Sequence, residues 1–141
     1  MQSCFACLGG GLASLAMAGC AATHYVPGSI EQNGITVSKS DFTYLKKEQP
    51  VNRQFIIVQN DKLGFPIYLY RFSDSEYSAL WMQCSHQGNE LQAFGDQLHC
   101  PAHGSEFDNR GRVSQGPASH PLRAFPVKID SDRIFIDLRA V

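Results

Sequence analysis

Two cysteines and two histidines in the second half of the chain form a pair of short units, Cys84-Ser85-His86 and Cys100-Pro101-Ala102-His103. Thiolate and imidazole are the common protein ligands of transition metals. Each unit sets them one or two residues apart, so both can face one ion from a tight turn. Gly88 and Gly104 follow the histidines closely and allow a sharp bend or a close approach by a neighbour. Thirteen residues separate His86 from Cys100, enough for two short strands. Two loop tips at one end of a sheet would then present two sulfurs and two nitrogens to a single site.

Three metal readings are open on spacing. A lone zinc ion takes four such ligands in a tetrahedron. A two-iron, two-sulfide cluster takes two cysteines on one iron and two histidines on the other. Blue copper prefers two histidines, one cysteine and a weak thioether, so a second thiolate fits it poorly. Without a metal, the same residues would serve in a core or a catalytic dyad, but two Cys and two His meeting in such loops by chance is rare.

The elements that must position these loops read as strands. Phe42–Leu45 is one short β-like run; Gln54–Gln59, with Phe55-Ile56-Ile57-Val58 inside it, has the composition of a strand buried on both faces. Asn60–Gly64 is a turn. Ile67–Phe72 alternates as a half-exposed strand does, and Tyr77–Met82 follows, with Trp81 a core aromatic. Leu122–Ile129 and Arg133–Leu138 flank Asp130-Ser131-Asp132 as a closing hairpin, with Ile134, Ile136 and Leu138 on one face. No stretch beyond the first twenty residues keeps a helical period over three turns. The class predicted is all-β, a small antiparallel sandwich or barrel.

The chain has 141 residues, the length of one domain, and a formal net charge of −1, which argues against a nucleic-acid surface or a polybasic membrane patch. Three of its five cysteines, Cys4, Cys7 and Cys20, lie in the first twenty residues. Phe5–Gly19 is uncharged, small and apolar, too short to span a bilayer comfortably as a helix but suited to the core of a secretory signal. It ends in Met17-Ala18-Gly19-Cys20, which resembles the lipobox of bacterial lipoproteins, where a signal is cut before a cysteine that receives lipid. No Lys or Arg precedes Lys39, unlike the usual positive start of a signal. Residues 1–19 are thus expected to be a lipoprotein-type signal peptide or a retained membrane anchor, 20–34 a small, polar, turn-rich tether, and 35–141 the functional domain.

The residues around the paired units are more specific than the spacing. Cys84-Ser85-His86-Gln87-Gly88 matches the Cys-x-His-x-Gly box of the Rieske iron–sulfur proteins, and Cys100-Pro101-Ala102-His103-Gly104-Ser105 matches their Cys-Pro-x-His-Gly-Ser box. Gly116-Pro117-Ala118 resembles the proline loop that covers their cluster, and the likeness runs from about Gln54 to Arg139. The resemblance implies a three-layered antiparallel β fold with a small cluster-binding subdomain. It implies Cys84 and Cys100 on an inner iron of a [2Fe-2S] cluster, and His86 and His103 on an outer iron near solvent. It further implies that Ser105 donates its hydroxyl proton to a bridging sulfide, and that Phe107 stands where high-potential members often carry a tyrosine. The potential expected is intermediate within the family's range of roughly −150 to +300 mV.

Two departures stand out. Asn89 and Ala102 occupy positions where Rieske proteins of cytochrome bc complexes usually carry a disulfide, so packing and hydrogen bonds must hold the loops here. Dioxygenase-type members also lack that disulfide. The remaining candidates are bland: His99 at the surface, His24 in the tether, His120 beside the proline loop, Glu106 solvated, and Asp108 capping a turn that runs to Gly111. No Ser–His–Asp set, phosphate loop or carboxylate pair stands out.

The function expected is electron transfer, as the iron–sulfur subunit of a membrane quinol:cytochrome c oxidoreductase with cytochrome b and cytochrome c type partners. The chain would be exported and held on the periplasmic face of a bacterial membrane through lipid on Cys20 or an N-terminal anchor. The alternatives are the small subunit of an exported oxidase of the arsenite oxidase type, a ferredoxin of a dioxygenase system, and a structural zinc module.

Overall fold

The computed structural model describes residues 22–139. The expectations for the signal or anchor, and for Cys20, fall outside them. Among the described residues no helix is long and apolar enough to cross a membrane.

The central sheet runs in the order β1 (Tyr25–Pro27), β6 (Phe55–Gln59), β7 (Ile67–Arg71), β8 (Tyr77–Trp81), β13 (Ala124–Phe125). The β-branched and aromatic residues of β6 to β8 suit a pleated surface packed on both sides. Alternation along these strands divides the molecule into two cores. Ile56, Val58, Ile67, Leu69 and Ala79 point one way, toward Ile35, Val37, Ile134 and Ile136. These come from a second sheet of order β14 (Val127–Ile129), β15 (Arg133–Asp137), β3 (Gly34–Ser38), β2 (Ser29–Glu31). Ile57, Tyr68, Tyr70 and Leu80 point the other way, toward Leu98, Cys84, Cys100 and Phe107. That face is covered by a third sheet, β12 (Val113–Gln115), β11 (Glu106–Asp108), β10 (Gln97–His99), β9 (Gln92–Phe94), which carries the paired units. A hairpin of β4 (Thr43–Lys46) and β5 (Gln49–Asn52) follows a single 3-10 turn, Lys39–Phe42.

The all-β expectation and the closing hairpin hold: β14 and β15 pair from Val127↔Ile136 to Ile129↔Ile134, and Ile134 and Ile136 are fully buried. The antiparallel architecture holds as well, with one parallel pairing, β1–β6. Three expectations are corrected. The tether expected over 20–34 is, in its described part, paired backbone, with Tyr25↔Ile57 in β1–β6 and Ile30↔Ile35 in β2–β3. The half-exposed strand over Ile67–Phe72 is instead a central strand buried on both faces from Ile67 to Tyr70, because Tyr68 and Tyr70 fill the second core. The run Leu122–Ile129 is broken at Pro126, which lacks the N–H a continuous strand needs, so Phe125 pairs with β8 and Val127 with β15.

The two layers are also joined by a polar tie. The Tyr68 hydroxyl crosses from the central sheet and donates to the Gly95 carbonyl in the β9–β10 turn, 2.7 Å away. Burial, together with Tyr70 and Asp96 nearby, pushes this phenol well above its ordinary range, so it stays a donor.

Candidate metal centre

The two units close by one backbone pattern. The Cys84 N–H donates to the Asn89 carbonyl (2.8 Å), and the Gly88 N–H donates back to the Cys84 carbonyl (2.9 Å). The Cys100 N–H donates to the Ser105 carbonyl (2.8 Å), and the Gly104 N–H to the Cys100 carbonyl (2.9 Å). Each ring needs its last residue in the left-handed region, and Gly88 (φ 76°) and Gly104 (φ 81°) supply it without a side-chain clash. The stem of the first loop is held by the Gln83↔Glu90 bridge, and that of the second by β10 and β11.

The four donors meet as two like pairs. Cys84 and Cys100 are both free thiols, both buried, and packed in the second core. His86 and His103 lie edge to face with ring centroids 5.0 Å apart; His86 is half-buried and His103 exposed. The sulfurs therefore sit inside and the imidazoles at the rim. Burial pushes the Cys84 thiol up; the His86 backbone N–H opposes this, the neighbouring Cys100 adds to it, and the Gln87 N–H opposes it. A buried pair of sulfurs and a pair of imidazoles at the rim suit a two-iron group that takes two cysteines on one iron and two histidines on the other. His86 Nδ1 is buried with no hydrogen-bond partner among the described residues, an expensive state for a ring nitrogen unless it binds a metal. The donor set thus fits a [2Fe-2S] cluster with mixed sulfur and nitrogen ligation.

Ser105 lies beneath this site with no exposed surface. Its Oγ accepts the Ala118 N–H (3.0 Å), and no acceptor for its own proton is found among the described residues. Phe107 is also fully buried, in the same core as both cysteines. Val113–Pro121 folds over both loops: Gln115 Nε2 donates to the Gly104 carbonyl (2.9 Å), and Ser85 Oγ donates to the His120 carbonyl (2.6 Å). The three segments 84–89, 100–105 and 113–121 contain no Asp, Glu, Lys or Arg, so the tip of the molecule is uncharged.

A family model for the Rieske [2Fe-2S] domain matches residues 41–126. The chain belongs to the Rieske [2Fe-2S] family. It is 34% identical over 77 residues to the cytochrome b6-f complex iron-sulfur subunit 2 of Nostoc sp., covering 52% of this chain and 43% of that protein. It is 33% identical over 95 residues to the chloroplastic cytochrome b6-f complex iron-sulfur subunit 1 of Nicotiana tabacum, covering 64% and 40%. The Rieske chain thus spans less than half the length of the curated relatives it matches. Among solved structures, the cyanobacterial plasma membrane Rieske protein PetC3 from Synechocystis superposes with a TM-score of 0.52 at 23% identity, covering 60% of this chain and 86% of that one. The quaternary ammonium Rieske monooxygenase CntA gives a TM-score of 0.56 at 17% identity, over 76% and 32%. These two likenesses concern the fold.

The other candidates settle in ordinary roles. His99 is partly exposed beside Glu106, its cross-strand partner, at 3.7 Å. His24 lends its carbonyl to the Ile57 N–H. The His120 ring is exposed and bonds Ser119, while its carbonyl faces Ser85. Asp108 caps its turn as expected, accepting the N–H groups of Arg110 and Arg112, both at 2.9 Å. Burial works against its charge, but these N–H groups and the Arg112 guanidinium outweigh that and hold its carboxyl below the usual range. A groove of about 870 Å³ beside Tyr44, Arg53, Phe55 and Phe94 includes none of the four donors. Sequence reasoning passed over Ser85 and Gln115. Neither residue type nor spacing marks them, because their partners are carbonyls brought near only by the folded loop.

Proposed function

We propose that this Rieske domain holds its cluster through Cys84 and Cys100 on one iron and His86 and His103 on the other, and works as the electron-carrying subunit of a membrane quinol:cytochrome c oxidoreductase. The observation that carries the reading is the sorting of donors by depth, with the thiols packed in the second core and the imidazoles at an uncharged rim. The cluster, when bound, supplies reversible one-electron chemistry. The chain's own residues do the rest. Cys84 and Cys100 would offer the cluster two thiolates where Leu98, Phe107 and Leu122 exclude water. Ser105 keeps a hydroxyl proton available inside the site. His103, exposed, is the side chain at which a proton passes to or from a donor.

The curated relatives, named as iron–sulfur subunits of cytochrome b6-f complexes, support a quinol donor and cytochrome partners. The uncharged tip supports docking on a neutral surface, since it offers nothing for electrostatic steering. The apolar segment Phe5–Gly19 and Cys20 support attachment at the outer face of a bacterial membrane, by lipid or by a retained anchor.

Asn89 and Ala102, where bc-type proteins usually carry cysteines, favour a second reading, a ferredoxin of a dioxygenase system; the small subunit of an exported oxidase is the other alternative. One experiment separates these. The protein is captured from detergent-solubilised membranes of its host, its partners are identified, and its EPR signal is followed on adding a quinol. Cytochrome b in the eluate and quinol-driven reduction support the proposal. A molybdenum-containing large subunit, or reduction only by a soluble NAD(P)H reductase, overturns it.

A further inference from the structure

The segment Gln115–His120 contacts both ligand loops by side-chain hydrogen bonds that leave no mark in the sequence. At its start, Gln115 Nε2 donates to the Gly104 carbonyl, the last residue of the second ring (2.9 Å). In its middle, the Ala118 N–H donates to Ser105 Oγ, a buried bond (3.0 Å). At its end, the His120 carbonyl accepts from Ser85 Oγ, between the ligands of the first loop (2.6 Å). No disulfide joins the two loops, because Cys84 and Cys100 are free and Asn89 and Ala102 have no sulfur. No backbone hydrogen bond joins residues 84–89 to residues 100–105 directly.

We infer that Ser85 and Gln115 are positioning residues: through Gln115–His120 they fasten the two ligand loops to each other as one reversible clasp, where other members of the family use a disulfide. The inference rests on reading the four Cys and His side chains as cluster ligands. Three physical consequences follow. The clasp needs no oxidant, so it forms under reducing and oxidising conditions alike. It can open and reclose, because each bond is worth only about 0.5–1.5 kcal/mol net. The two side-chain ties hold the same segment, so its opening must break both, and their losses multiply.

The test uses the intact, cluster-loaded chain and its variants Ser85→Ala, Gln115→Met, the double variant, and Ser85→Thr, which restores the hydroxyl. Two rates are read: amide hydrogen exchange at Ala118, and bleaching of the cluster by an iron chelator. Each single loss is expected to speed both by about threefold to fivefold, and the double by about tenfold to twenty-five-fold, with Ser85→Thr near wild type. Exchange at Ile56–Val58 in β6 stays unchanged in all of them. Wild-type exchange at Ala118 in the single variants overturns the clasp. So does a double variant no faster than the worse single, which would mean that the two ties do not each restrain the same opening. Acceleration shared by β6 also overturns it, since that reports general loosening. Iron and sulfide assays on the same samples separate the two ideas: protein without either would refute the cluster reading, while the exchange at Ala118 still decides the clasp.

Discussion

Replacing Ser105 by alanine removes one oxygen from the centre of the site and leaves the surface untouched. Its hydroxyl is fully buried, its lone pair is used by the Ala118 N–H, and its proton has no acceptor among the described residues. A proton in that position favours whichever state of a nearby group carries more negative charge, here the reduced cluster. A hydrogen bond to a charged acceptor is worth about 1.5–3 kcal/mol, and the part that differs between two redox states is smaller, about 1–2 kcal/mol. For one electron, 59 mV corresponds to a factor of ten, or about 1.4 kcal/mol, so Ser105→Ala should lower the midpoint potential by about 45–90 mV. The assay is direct voltammetry at neutral pH, with the EPR spectrum recorded to show that the cluster is intact. A weak donor of similar size, Ser105→Cys, should fall between the two. The variant also strands the Ala118 N–H, so its exchange is measured as well. An unchanged potential with an intact spectrum would refute the reasoning, because it would mean that the hydroxyl proton points away from the cluster.

Four further outcomes are expected. Phe107→Tyr adds a phenolic donor in the core that holds both cysteines, and a bond of about 1 kcal/mol to sulfur should raise the potential by about 40 mV by voltammetry. Asp108→Ala removes the acceptor of three hydrogen bonds at the β11–β12 turn and should cost about 1–2 kcal/mol in denaturant melts. Asp137 is held at about 2 by the Arg139 guanidinium and N–H. A carboxylate lowered on folding adds stability that is fully present above its unfolded value of about 4 and is lost as pH falls through the folded one. Melting temperature should therefore drop between about pH 4 and pH 2, and Asp137→Asn should flatten that drop. Finally, on the proposed function, the rate of electron transfer with a membrane partner should vary little with ionic strength in stopped-flow experiments, since the three segments around the site contain no Asp, Glu, Lys or Arg.

The two boxes were legible because ligand chemistry demands rare residues at fixed offsets, and the turn rings demand glycine at one place in each. Ser105, Phe107 and Asp108 were legible for the same reason, lying directly beyond the second box. The strands Phe55–Gln59 and Arg133–Asp137 announced themselves through β-branched composition and alternation. Three features were not legible. Ile67–Arg71 looks amphipathic because tyrosine reads as half-polar, yet Tyr68 and Tyr70 are buried and the Tyr68 hydroxyl finds a carbonyl 27 residues away. Tyr25–Pro27 and Ser29–Glu31 are short, partly exposed and rich in turn formers, so pairing with β6 and β3 rather than local propensity makes them strands. Ser85 and Gln115 bond to carbonyls, which no residue type signals in advance.

The inside–outside order of the site follows from a difference of one residue. Both rings close four residues after their cysteine, at Gly88 and Gly104, with the same pair of backbone hydrogen bonds. Within these matched rings His86 is the second residue after its cysteine and His103 the third, because Pro101 and Ala102 stand where the first ring has Ser85 alone. The shorter offset keeps His86 against the body of the domain, with Nδ1 buried, and leaves Ser85 free to reach the covering segment. The longer offset carries His103 to the exposed crest of its turn, next to Gly104, where its rim position requires no opening of the loops. The cysteines head both rings at equivalent points, and their N–H groups are tied back to Asn89 and Ser105, so their side chains enter the core together. A symmetric pair of turns therefore delivers two equivalent sulfurs and two inequivalent nitrogens.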